Sequence, residues 1–559
     1  MPPTTARKSP ATRPSPPSSG DAGGARKTEG HRETVESFVV AAILAVLIRA
    51  FLAEAFVIPT GSMAPTLMGR HKDVECDECH HNFQVNVHTD AAGRDVPTSN
   101  GVCDNCRVPM RVAPLPSFKG DRILVMKFPF AMPWLPGSSG PTRWDVIVFK
   151  YPENPDQNFI KRMVGLPGEE LLILGGDVLT RKLGSEEPFR FARKPIRHLL
   201  AMQMPVYDDS HRPGRLAGKK EWQRWAPAAE GIWSEPEPGK FASGNSSDWA
   251  ELAYRHLVPT RTQWDDLLHD RPTSAPQARL ITDFYSYNSG GGPSEHPHWV
   301  GDLTLSCRVD VEAAQGQLAL ELIKGGIPYR CEIDIATGQA TLSRYGESLG
   351  QPAATALRGA GAYDLTLANV DGRLTLLVNG QAPATLGDGV EYDDGTQPRT
   401  TPTEADLKPA RISSRGAKLK VSRLLLRRDI HYTKDPNGSD YAAMSLSDNS
   451  STGDDFTDPA RFGNLAVTPG KTYAIGEGKY MMMGDNSPQS SDGRAWRNDD
   501  REWDTTDRQT WEVPESMIVG KAFFVYWPHG KPFGPEFLIP RTDIRVPFRP
   551  YVERMKWIR

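Results

Sequence analysis

Between Phe38 and Ala53 the chain reads FVVAAILAVLIRAFLA. With Phe56, Val57 and Ile58 this makes a mostly apolar stretch of about 20 residues, the length a helix needs to span a bilayer. Its only charges, Arg49 and Glu54, lie toward one end, where long side chains can reach the interface. The preceding residues 1–34 are rich in Pro, Ser and Gly and carry Arg7, Lys8, Arg13, Arg26, Lys27 and Arg32 against Asp21, Glu29 and Glu33. The positive-inside rule then predicts a disordered cytoplasmic tail over 1–34, a single-pass transmembrane anchor over 35–54, and export of everything after residue 58. A cleaved signal peptide is the rival reading, because Ala53-Glu54-Ala55 fits a small-x-small cleavage pattern. No later segment is long and apolar enough to span.

The remaining length is that of a globular protein. The chain has 559 residues, 38% of them hydrophobic and 24% charged, so at roughly 150 residues per domain it has room for several domains. Lys and Arg total 66 against 69 Asp and Glu, a net charge of −3. No global field recruits nucleic acid, and none is expected as a partner.

The six cysteines fall into two groups. Cys76-x2-Cys79 and Cys103-x2-Cys106 have the paired-knuckle spacing of a zinc ribbon, in which four thiolates complete a tetrahedral site. Two disulfides are the alternative, which an exported location permits. His80, His81 and His88 lie between the pairs and read as loop residues, since four thiolates leave no ligand position for them. Zinc or disulfides, the role is structural, because so short a segment has little core of its own. Cys307 and Cys331 lie in two strand-like runs, LTLSCRVDV and PYRCEIDI, and form either a disulfide across neighbouring strands or two buried thiols.

Most of the ordered pattern is β. GDRILVMKFPF, RWDVIVFKYP and FIKRMVGLPGEELLIL are apolar, β-branched runs punctuated by Gly and Pro. Short alternating runs return between about residues 299 and 432, from LTLSCRVDV to LKVSRLLLRRDI, and argue for a β-sandwich. The fold class expected is therefore mainly β, with one transmembrane helix.

Ser62 follows Pro59-Thr60-Gly61, a turn in which glycine permits unusual backbone angles and exposes the next side chain. A serine nucleophile needs a base, and no histidine motif supplies one. Ser-x-x-Lys is excluded because Pro65 stands three residues on. A lysine from another strand can serve if burial keeps it neutral, and Lys161 in FIKRMVGLPG is the best placed.

The blocks FVIPTGSMAPTL, GDRILVMKF, FIKRMVGLPGE and GDNSPQSSDGRAW, in this order, resemble bacterial type I signal peptidase, the membrane-bound leader peptidase with a serine/lysine dyad. The resemblance covers residues 56–70, 118–174 and 479–528. It implies Ser62, followed by Met63, as the nucleophile and Lys161 as the general base. It places Thr60 with the Ser62 N–H in the oxyanion hole and Ser490 at the position that orients the lysine. Arg162, Asp485, Asp492 and Arg494 become supporting polar residues, with Asp485 paired to Arg162. Ser487-Pro488 replace the Arg the family commonly carries after Gly-Asp-Asn, so Ser491 also stays open for the Ser490 role.

On this reading the catalytic domain comes in three parts, 55–71, 118–178 and 473–545, interrupted by a four-cysteine, zinc-ribbon-like insertion over 72–117 and a larger insertion over 179–472. A C-terminal tail follows over 546–559. The larger insertion contains the sandwich, over about 230–435, which resembles concanavalin-like or laminin-G-like jelly rolls and leaves a sugar or protein ligand open. The implied activity removes signal peptides from exported preproteins after small residues at −1 and −3, with a lipid bilayer and preproteins as partners. No cofactor is needed for catalysis, and the cell membrane is the location. A membrane-tethered binding or adhesion protein on an inactive protease scaffold is the alternative.

Overall fold

The computed structural model describes residues 23–90, 92–127, 140–229, 231–290, 298–397, 400–436, 454–496, 509–532 and 548–559. Residues 1–54 and 55–559 form separate units.

The first unit departs from the expected anchor. An α-helix runs over Gly23–Leu47, gives way to a π-helical turn at Ile48–Leu52, and is followed by the strand Ala53–Val57. Among the described residues no helix is long and apolar enough to cross a membrane. The apolar run is divided: its first part ends a helix whose N-terminal half is polar, and its last residues enter the sheet beside Arg122–Met126. Residues 23–34, expected in the disordered tail, are helical, and the first 22 residues of that tail lie outside the described residues.

The second unit is mainly β. One sheet has the order Ala53–Val57, Arg122–Met126, Ile518–Trp527, Val146–Tyr151, Asn154–Gly165, Lys479–Met483, Glu512–Pro514. Its pairings from Arg122–Met126 onward are antiparallel. The alternation of apolar and polar residues in RILVM and VIVFKY buries Ile123, Val125, Val146 and Val148 in one cluster with Ile58 and Met63. Lys556–Trp557 pairs with Ile518–Trp527, so the expected C-terminal tail contributes a strand to this sheet. A four-stranded sheet, Arg190–Phe191, Asp177–Lys182, Glu169–Leu174 and Lys471–Ala474, brings together the two ends of the large insertion.

Most of the insertion is a two-sheet sandwich. One sheet centres on Leu303–Val311 between Leu419–Arg428 and Gly361–Val370, the other on Gln317–Lys324 between Ala410–Arg415 and Ile327–Asp334. Leu305, Val309, Leu367 and Val421 from one sheet meet Leu318, Leu320, Ile333 and Ile412 from the other in a single core. Cys307 and Cys331 sit in that core on different sheets, and both are free thiols. Burial pushes each up to about 12.

The cysteine segment consists of two hairpins, His71–Glu75 with Asn82–Asn86 and Asn100–Val102 with Pro109–Arg111. Each turn carries one CxxC, and the two turns fold alike. Cys76 N–H donates to His81 O and His80 N–H to Cys76 O, just as Cys103 N–H donates to Val108 O and Arg107 N–H to Cys103 O. His80 and Arg107, the residues after each second cysteine, have φ of 55° and 70°. Trp222, Trp264 and Leu267 of the large insertion complete this segment's core.

Candidate active site

Ser62 lies in a single helical turn, Gly61–Met63, entered from Thr60 in an extended conformation. Ser62 and Met63 are buried and Thr60 is exposed. The turn is held from outside: the backbone N–H of Asn486 donates to Ser62 O and its Nδ2 to Gly61 O, each at 3.1 Å. Gly61 admits no side chain, because a Cβ there would stand 2.2 Å from the Tyr287 ring.

Lys161 is contributed by the strand Asn154–Gly165, in register with Ile147 of its neighbour. Its Nζ lies 2.7 Å from Ser62 Oγ and 3.1 Å from Ile160 O. Among the described residues no carboxylate stands within ion-pair distance of it. Burial therefore decides its protonation and pushes the ammonium down to about 8, with the field of Arg494 in the same sense and those of Asp492 and Asp485 opposing. A lysine in this state is neutral in a useful fraction of molecules near neutral pH and can take a proton from the serine hydroxyl.

The adjacent Arg162 is fully buried and serves a different purpose. Its Nε and Nη2 reach Asp485 at 2.7 and 2.6 Å in a bidentate pair, and Thr66 Oγ1 also donates to Asp485. Nη1 donates to Trp144 O and to Arg559 O. Trp144 has φ of 75°, a strained conformation for a bulky residue, and in it the carbonyl meets the guanidinium. Asp492 and Arg494 form a second buried pair at 2.7 Å. Asp492 also accepts from Gly484 N–H, while Arg494 donates to Thr433 O and to Ser487 Oγ and O. Burial alone would raise the Asp492 carboxyl, but Arg494 and the Gly484 amide hold it below its ordinary value. These pairs fix the loop 484–494 against the Ser62 turn.

Ser490, within this loop, is buried, and its hydroxyl helps to hold the Asp492 carboxyl low. It stands against Gly484, where a Cβ would approach Ser490 Oγ to 2.2 Å and Ser62 O to 2.4 Å. The hydroxyl thus lies close to the Ser62 backbone, without the bond to Lys161 that the resemblance implies.

Three residues around the dyad were not anticipated. Asn486 is inside the quoted Gly-Asp-Asn block, so its position was visible and its bonds to the Ser62 turn were not. Tyr287 and Asn288 belong to the large insertion, in a polar stretch with no periodicity to mark them.

The four clustered cysteines converge separately. Cys76 Sγ is 3.5 Å from Cys106 Sγ and Cys79 Sγ is 3.7 Å from Cys103 Sγ, with all four sulfurs within 4.8 Å of one another. Sulfur ligands at ~2.3 Å around one tetrahedral ion stand ~3.8 Å apart, whereas a disulfide requires ~2.05 Å. His80 is exposed, His81 pairs with Asp104 at 3.1 Å, and His88 lies 3.4 Å from the Asn86 amide.

Residues 31–76, 102–196 and 417–527 match the family model described as signal peptidase, peptidase S26. Residues 77–101 and 197–416 fall outside the match, so both insertions interrupt it. A signal peptidase I of Pseudomonas aeruginosa is 26% identical over 226 residues, 38% of this chain and 58% of that protein. One from Aquifex aeolicus is 31% identical over 139 residues, 25% of this chain and 32% of that protein. The chain thus spans less than two thirds of the length of either relative. Among solved structures, the carbohydrate binding module CBM66 from Bacillus subtilis aligns with 36% of this chain and 94% of its own, at 8% identity and a TM-score of 0.22, which fixes no ligand for the sandwich. Over the segments that build the Ser62–Lys161 site, the chain resembles type I signal peptidase.

Proposed function

We propose that this chain is a signal peptidase working through a Ser62–Lys161 dyad. The observation that carries the reading is the 2.7 Å approach of Lys161 Nζ to Ser62 Oγ, with a lysine that burial rather than a counter-charge controls. Neutral Lys161 takes the Ser62 hydroxyl proton as Oγ attacks the scissile carbonyl. The resulting oxyanion accepts hydrogen bonds from the Ser62 N–H and from the Thr60 hydroxyl, a donor of the kind worth roughly 2.7–4 kcal/mol. Collapse of the intermediate expels the new amine, protonated by Lys161, and leaves an acyl-Ser62 ester. Lys161 then activates the water that hydrolyses it. The substrates proposed are exported preproteins with small residues at −1 and −3.

The same short contact argues against an inactive scaffold. Ser62→Ala and Lys161→Ala are each expected to lower preprotein processing on the order of 10³-fold or more. Wild-type rates in both variants would overturn the assignment.

A membrane tether is part of the proposal, with the N-terminus cytoplasmic and the catalytic unit outside. It is supported by the exposed apolar side chains Phe38, Val40, Ile43, Leu44, Val46 and Leu47 on the helix Gly23–Leu47, continued in the chain by Ile48 and Leu52. Confining enzyme and substrate to one surface raises their effective concentration. We also propose a structural zinc held by Cys76, Cys79, Cys103 and Cys106, supported by their sulfur spacing, with no part in the chemistry. Metal analysis of the purified protein is expected to find one zinc per chain, and a zinc-free, fully oxidised sample would reject it.

A further inference from the structure

The family match stops at residue 196 and resumes at 417, yet part of the unmatched stretch returns to the Ser62 turn. The segment Tyr285–Ser289 reaches both the Ser62 turn and the cysteine hairpins. Tyr287 is completely buried against Gly61, Ala64 and Met68, and its hydroxyl donates to Arg70 O at 3.3 Å. Ser289 Oγ accepts from Val102 N–H at 3.0 Å. Between them, Asn288 forms a reciprocal amide pair with Asn486, whose Nδ2 donates to Asn288 Oδ1 at 2.8 Å while Asn288 Nδ2 donates to Asn486 Oδ1 at 2.9 Å.

The pair determines what Asn486 can do. A primary amide has two N–H donors and one carbonyl acceptor. One Asn486 N–H goes to Gly61 O and the other to Asn288, while its oxygen accepts from Asn288. Without Asn288 the buried amide would lack one donor partner and its acceptor partner, at a cost of roughly 1–3 kcal/mol. It could then rotate by half a turn, which sets Oδ1 against Gly61 O and replaces a hydrogen bond with a repulsion.

We propose that Asn288, from the large insertion, is a positioning residue for the active site. It fixes the orientation of the Asn486 amide, and Asn486 in turn holds the two carbonyls that set the Ser62 turn against Lys161. The insertion is on this view a working part of the catalytic centre. The inference rests on Ser62 being the nucleophile.

The test uses the full-length protein in detergent with a preprotein substrate, measuring the amplitude and rate constant of the acyl-enzyme burst together with KM. The amplitude counts correctly folded sites, and the rate constant reports how Ser62 is placed. Asn288→Ala is expected to slow acylation about 10-fold with amplitude and KM unchanged. Asn288→Asp, which keeps the acceptor and loses the donor, is expected to fall between. Asn486→Ala combined with Asn288→Ala should be no slower than Asn486→Ala alone, since the second residue acts through the first. Wild-type acylation in Asn288→Ala, a loss confined to burst amplitude, or additive losses in the double variant would each overturn the proposal. Ser62→Ala separates the premise from the inference: a burst that survives in it removes the nucleophile assignment itself.

Discussion

Lys161 and Lys194 are buried almost equally, 4% and 3% exposed, and their surroundings give them opposite properties. Among the described residues Lys161 has only a hydroxyl and a carbonyl within hydrogen-bond reach, and burial pushes its ammonium down to about 8. Lys194 feels the same burial, but it meets Asp371 at 3.1 Å and Asp429 at 2.8 Å, and the two carboxylates hold it above the ordinary lysine value. One lysine is poised to lose its proton and the other to keep it. Lys194 follows Arg190–Phe191 of the small four-stranded sheet, Asp371 sits in a turn of the sandwich, and Asp429 follows one of its strands. These pairs join distant parts of the insertion, and Lys194 Nζ also lies 5.0 Å from the ring of Trp144 outside it, whose carbonyl holds Arg162. Depth of burial alone does not set a lysine's protonation; the carboxylates that reach it do.

The largest effect expected on this contrast is at Lys194. Lys194→Met leaves Asp371 and Asp429 buried without their cation and should lower unfolding free energy by about 3–5 kcal/mol, read by chemical denaturation. Lys161→Met removes an uncompensated buried charge, so although it should be inactive it is expected to be more stable at pH 7 by up to ~3 kcal/mol. Lys161 has a folded value below its unfolded one, so its penalty is fully present below pH 8 and fades as pH rises toward 10.5. The advantage of Lys161→Met should shrink over that window. If both variants move stability in the same direction, the contrast is broken. The smallest effect is on rate: processing should rise about tenfold between pH 7 and pH 9, with its half-point near 8. A profile flat across that range would contradict a lysine base.

The groupings of side chains were legible where they are encoded locally. Ser62 after a Pro-Thr-Gly turn, Lys161-Arg162 in an apolar strand, and two CxxC pairs are short patterns, and the structure brings their side chains together. The Arg162–Asp485 pair follows from the resemblance those blocks carry, whereas the burial of the Asp492–Arg494 pair does not. What could not be read depends on tertiary contact. Asn288 stands 198 positions from Asn486 in a stretch without periodicity. The apolar run at 38–53 signals a lipid- or core-facing segment, but it does not reveal that the backbone turns extended at Ala53 to join a sheet edge. Nor does strand alternation say that Cys307 and Cys331 belong to different sheets, which removes a bond between neighbouring strands.

The sheet that carries Lys161 has a neighbour drawn from the far side of the insertion: Arg162 and its partner Asp485 are 323 positions apart. Closing so long a loop in an unfolded chain is entropically costly and slow. The sandwich has its own core and can condense first, drawing Asn154–Gly165 and Lys479–Met483 to within reach of each other. The contacts that join Arg162 and the Ser62 turn to the loop 484–494 then form late, and a chain halted anywhere inside the insertion carries Ser62 and Lys161 without Asp485 and Asn486.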